Sequence, residues 1–188
     1  MKKFVFFVVL GMMLFVGACG QSKTEEMKSI IPGKRTGPFV HGKAVPQSLD
    51  GYELLKKTTA DPDGDPIAYY EVQQSGKKVL EVYFELTDGV EKIFRSGVFS
   101  DEYLTPEGLG VGSTLEDLQK VYPTGTVSYI PAGASFIPGE ELFIFEPETS
   151  SLLFILDKSG YKKQPGEEHS NLSFNDFKSG TKVEKLFH

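Results

Sequence analysis

The sequence predicts a mainly β domain, an antiparallel β-sandwich or partly open barrel with one short α-helix, placed behind a secretion signal. Three observations predict it. Apolar and polar residues alternate with period two across residues 67–99, two more apolar runs follow between turn-forming residues, and only one stretch combines helical spacing with end caps.

The chain begins with Lys2 and Lys3, continues as an apolar run over residues 4–16 broken only by Gly11, and reaches the small residues Gly17 and Ala18 before Cys19. At about 1.5 Å per residue this run is too short to cross a ~30 Å hydrocarbon core comfortably as a permanent helix, so residues 1–18 are expected to be a signal peptide. Val16-Gly17-Ala18-Cys19 resembles the lipobox of bacterial lipoproteins, with Val where Leu is commoner. The resemblance implies cleavage before Cys19, acylation of its thiol and amino group with palmitate-type chains, and a membrane anchor. Cys19 is the single cysteine of the chain, so it has no disulfide partner within it. One acyl chain binds a membrane marginally, whereas two or three hold durably.

Residues 19–36 carry Lys23, Glu25, Glu26, Lys28, Lys34 and Arg35 with few apolar interruptions, and are expected to form a flexible tether. Residues 37–188 are expected to form one extracytoplasmic domain. Gly20 and Gln21 lack the aspartate that keeps many enterobacterial lipoproteins in the inner membrane, so the lipobox resemblance favours the outer membrane if the source is Gram-negative. Removing residues 1–18 takes two of the 20 basic residues and none of the 26 acids, leaving 18 minus 26, a charge of −8. That balance argues against nucleic acid as a partner. With no cysteine after the anchor, the domain must hold by packing alone.

Within the domain, residues 67–73, 77–86 and 90–99 read as a three-stranded meander joined at Ser75-Gly76 and Asp88-Gly89. Leu80, Val82, Phe84 and Leu86 alternate with Glu81, Tyr83 and Glu85, which predicts one buried face. A helix is expected over residues 113–122, with Ser113 and Glu116 at capping-box spacing, Leu115, Leu118, Val121 and Tyr122 on one side, and Pro123 and Gly125 as the stop. Residues 142–145 and 152–156 are apolar runs joined by Pro147-Glu148-Thr149-Ser150, and both are expected near the centre of a sheet. Residues 183–187 are expected to close one edge.

The order Gly51-Tyr52, an acidic glycine turn with Pro66, Gly76-Lys77 before a strand, Gly110-Val111-Gly112 before a helix ending near Tyr122, and a closing Val183-Glu184 resembles the envelope-stress-regulated outer-membrane lipoproteins of unknown function. The resemblance implies an anchored β-rich module and carries over no catalytic residue.

Candidate sites are few. Asp61, Asp63 and Asp65 stand at alternate positions as in a calcium loop, but counting from Asp61 the sixth and twelfth positions of an EF-hand are Pro66 and Val72, so a solvated turn is expected and no metal. Gly110-Val111-Gly112-Ser113-Thr114 opens a helix whose first turn holds Glu116 and Asp117, charges that oppose an anion. His41, His169 and His188 lie far apart in sequence without zinc-ligand spacing; His188 is expected to be mobile. The connection over residues 130–139 carries Ile130, Phe136 and Ile137, which either fold back over one end of the core or form a partner contact. The functional expectation is a non-enzymatic envelope lipoprotein, without cofactor, that binds or supports a protein, glycan or lipid partner. A small-ligand-binding module held at the membrane and a hydrolase are the alternatives.

Overall fold

The computed structural model describes residues 27–61, 63–163 and 169–188, with residues 169–171 as backbone only. The expected signal peptide, Cys19 and the first part of the expected tether lie outside the described residues. Among the described residues the fold is mainly β, with two antiparallel sheets, one short α-helix and no closed barrel. A small sheet joins β1 (Ile30–Ile31), β2 (Arg35–Thr36) and β3 (Phe39–Val40) in that order. The large sheet is built from β4 (Glu53–Ala60), β5 (Pro66–Gln74), β6 (Lys77–Thr87), β7 (Val90–Val98), β8 (Gly125–Ile130), β9 (Leu142–Pro147), β10 (Leu153–Leu156), β11 (His169–Leu172) and β12 (Val183–Phe187). Its spatial order is β11-β8-β9-β10-β12-β7-β6-β5-β4.

The meander forms where the turn chemistry places it. Ser75 and Gly76 sit at φ of 52° and 75°, Asp88 and Gly89 at 52° and 77°, the left-handed pair that a two-residue hairpin needs to match strand twist. Strand β4 extends the meander by pairing along β5 from Glu53↔Gln73 to Ala60↔Pro66. It lacks the alternation of its neighbours because it is an edge strand with little to bury, and Lys56 and Lys57 shield that edge. The expected alternation in β6 is corrected in two respects. Residues 79–84 are buried on both faces, and Leu86 is 71% exposed, beyond a register shift between Tyr83 and Phe84 where the hairpin runs past the packed body.

Three further expectations change. The domain starts before residue 37: Ile30 is fully buried in the core, Thr36 is fully buried, and Ile30 N–H donates to the Leu104 carbonyl, so residues 30–36 form two short paired strands joined by a turn and not a tether. The helix, α1 (Leu115–Val121), is capped by Thr114 and Asp117, not by Ser113 and Glu116. Ser113 Oγ instead accepts from Gly110 N–H, and the Glu116 carboxylate accepts from Gly180 N–H at 3.0 Å. Strand β12 is not an edge but the strand between β10 and β7, with Leu186 opposite both Phe154 and Val98. The expected central positions of β9 and β10 hold.

Alternate residues separate into two apolar clusters, one on each face of the large sheet. Val82, Val98, Phe143, Phe145, Phe154, Leu156 and Leu186 join Leu115 and Leu118 of α1 and Phe39 of β3 in the main core. Their strand neighbours Tyr83, Leu142, Ile144, Ile155 and Phe187 form the smaller cluster on the outer face.

Candidate functional site

On the outer face the register sets Lys57, Tyr69, Tyr83 and Arg95 in one row across β4, β5, β6 and β7. The next row holds Leu55, Glu71, Glu81 and Gly97, continued by Phe187 and Leu153. Gly97 is required there, since a Cβ would stand 2.5 Å from Phe187 Cε1. The Phe187 ring covers the glycine and takes Phe136 edge-on at a centroid distance of 5.4 Å and Phe99 at 6.1 Å.

The 131–139 connection closes over part of this face. Ala134 N–H donates to the Pro131 carbonyl and Ile137 N–H to the buried Ser135 hydroxyl, which shapes consecutive turns. Ile130, Phe136 and Ile137 are partly buried and pack on the outer cluster. The fold-back arrangement is therefore the one adopted, and it brings Phe136 to Arg95.

Arg95 is half-buried among rings, its guanidinium carbon 4.3 Å from the Tyr83 centroid, 5.5 Å from Phe136 and 5.8 Å from Phe94. Tyr69 stacks on Tyr83 at 5.3 Å. Tyr83 donates to Glu81 at 2.8 Å, and Lys78 donates to the other Glu81 oxygen at 3.0 Å. Burial, then the Glu81 charge, pushes the Tyr83 hydroxyl far above its ordinary range, so it stays protonated as a donor. Burial lowers the Arg95 pKa, with Tyr83 and Glu81 acting the other way.

A second cluster lies on the core face, where His41 and His188 stack with centroids 4.5 Å apart and planes 19° apart. His188 Nε2 bonds Thr36 Oγ1, and His41 Nε2 lies 3.4 Å from Ser96 Oγ. The backbone of His188 pairs with Ser96 in both directions, so the expected mobility of His188 is replaced by a ladder position. A serine facing a histidine is the kind of approach a hydrolase needs, yet Ser96 and Thr36 are fully buried. Sequence reasoning missed the pair because 147 positions separate the two histidines (188 less 41), a distance closed by the β7–β12 pairing together with the backbone bonds of Gly42 and Lys43 to Ile93 of β7.

Asp61 works as a turn residue: its carboxylate accepts from Asp65 N–H at 2.7 Å, and its backbone bonds Asp65 and Gly64. Among the described residues no three His, Cys, Asp or Glu side chains are grouped so as to hold a metal ion. Two clefts open on the surface of the described residues. One, of about 430 Å³, lies between the 44–47 segment and the sheet, with Val45, Leu54, Tyr70, Val90 and Glu91 on its walls. The other, of about 380 Å³, lies beside Leu142 and Ile155 under Glu140, Glu141 and Glu184.

A scan against protein-family models finds no match, and a search of curated proteins finds none either. Among solved structures, the chain is similar to the crystal structure of the uncharacterized protein YfeY from Escherichia coli, with a TM-score of 0.55 and 17% identity over 85% of this chain and 96% of that one. At that identity the likeness shows a shared fold.

Proposed function

We propose that this chain is a membrane-anchored envelope lipoprotein, held through acylated Cys19, whose β-rich domain has a non-enzymatic binding or structural role. The observation that carries the reading is Val16-Gly17-Ala18-Cys19, which puts the chain's single cysteine at the expected cleavage point behind a positive and then apolar leader. Among the described residues no helix is long and apolar enough to cross a membrane, which is compatible with attachment by lipid. The early start of the domain shortens the leash: ten residues separate Cys19 from β1, and fully extended they span at most about 35 Å. The domain would therefore work close to the bilayer surface, and the outer membrane is the expected site in a Gram-negative cell.

The fully buried Ser96 beside His41 supports a non-enzymatic role over a hydrolase, since no substrate reaches a serine with no exposed surface. A small-ligand-binding module is the second reading, favoured by the 430 Å³ cleft in which Val45, Leu54 and Tyr70 stand beside Gln47 and the Glu91 carboxylate. The test of the anchor is growth with radioactive palmitate. Wild-type chain should be labelled and fractionate with membranes. Cys19→Ala should lose the label and remain unprocessed or appear in the soluble fraction; unchanged labelling overturns the proposal.

A further inference from the structure

We propose that Arg95 is the recognition residue of an anion site on the outer face, taking a phosphate or carboxylate carried on a ring or other apolar body. Lys57 is paired with Glu71 at 2.6 Å, Lys78 with Glu81 at 3.0 Å, and Lys185 with Glu140. The second Glu81 oxygen is occupied by the Tyr83 hydroxyl. Each of these three lysines thus has its carboxylate, and Glu81, the carboxylate that acts on Arg95, is already committed. Among the described residues no carboxylate pairs with Arg95, and its Nε–H is buried without an acceptor.

A half-buried guanidinium without a directly paired carboxylate is costly, and the aromatic faces and the more distant Glu81 charge return only part of that cost. What the group lacks is an acceptor with two oxygens, the geometry that a guanidinium fork binds in preference to all others. The surroundings define the rest of the ligand. Phe94 and Phe136 beside Arg95, and Tyr69 stacked on its ring partner Tyr83, are partly or largely exposed, and Phe136 is carried on a connection rather than on a strand, so it can shift to admit a ring. An anion alone would leave those surfaces wet, and a neutral ring would leave the guanidinium unpaired.

The site deepens the binding role proposed above but does not depend on acylation, so loss of palmitate labelling and loss of anion binding are separate results. The experiment is calorimetric titration of the full chain in phosphatidylcholine nanodiscs with phenyl phosphate, inorganic phosphate and phenyl glucoside. Phenyl phosphate should bind saturably, inorganic phosphate at least tenfold more weakly, and phenyl glucoside without saturation. Arg95→Lys should weaken phenyl phosphate at least tenfold, because the planar fork is lost. Arg95→Met keeps the apolar stem, and its melting temperature should equal or exceed that of wild type, since a half-buried cation with no directly paired carboxylate is removed. Repeating the titration in phosphatidylglycerol nanodiscs identifies the natural source: competition points to a lipid headgroup, unchanged affinity to a soluble anion. Phenyl phosphate bound equally by wild type and Arg95→Met overturns the proposal. So does an Arg95→Met variant that melts well below wild type when wild type binds none of the three probes, for Arg95 would then be a packing residue.

Discussion

His188 shows how far a single side chain can depart from what its position suggests. Its ring is stacked on His41, and burial, reinforced by that neighbour, pushes its pKa down to about 3, while burial also lowers the pKa of His41. The folded chain therefore keeps both rings neutral, whereas the unfolded chain protonates them near pH 6.5. A base whose pKa is depressed by folding contributes stability that is complete above the unfolded value and is lost as the pH falls below it. The expected loss for His188 is about 1.4 kcal/mol per pH unit between roughly pH 6 and pH 4. Glu71, Glu91, Glu116 and Asp117 also have lowered pKa values, but protonation of the unfolded chain at carboxylates begins only near pH 4.5, so the upper part of the window belongs to the histidines. Urea unfolding at pH 7.5 and pH 5.5 measures the slope, and His188→Gln should flatten it. A wild-type stability that does not change between those two values would show that the rings protonate freely in the folded state.

At the scale of elements, the 131–139 connection is the clearest case of a segment whose role follows from what lies beneath it. Phe136 and Ile137 pack on the cluster that contains Tyr83, Ile144 and Phe187, yet neither is fully buried. Replacing both with serine removes roughly half of two apolar side chains' burial, an expected loss of about 2 kcal/mol in chemical denaturation. A pair that left stability unchanged would mean that the connection is detached from the sheet in solution. The edges explain other differences. Strand β4 was illegible because an edge strand buries too little to need alternation, whereas the polar residues of β12 do not mark an edge: Glu184 is exposed, the Lys185 side chain is 18% exposed and paired with Glu140, and the strand has a neighbour on each side.

For the whole molecule, β12 is the piece that makes two units one. On one side lies the β4–β7 meander, on the other β8–β11, and within the large sheet they meet only through β12. Leu186 sits at the join, fully buried opposite Phe154 and Val98. Leu186→Ala should cost about 2–5 kcal/mol, and the loss should reach both sides together. Hydrogen exchange followed in peptides from β6–β7 and from β9–β10 reads this directly: equal loss of protection in both is expected, and protection retained in one set would show that the two units unfold independently.

The sequence by itself determined the local parts of this protein. Turn residues at Ser75-Gly76 and Asp88-Gly89 dictate two hairpins because only certain residues accept their backbone angles, and the apolar runs of β9 and β10 dictate central strands because both their faces must be covered. The proposed leader and the proposed anchor at Cys19 rest on equally local signals. Only the tertiary structure decided which distant residues meet. The stack of His41 on His188, the place of β12, the entry of Ile30 into the core and the rings around Arg95 all depend on strand pairings between segments far apart in the chain. The physical reason is that period and turn chemistry report how each residue sits relative to its immediate neighbours and to water, whereas lateral order in a sheet is settled by packing the whole set of apolar faces at once.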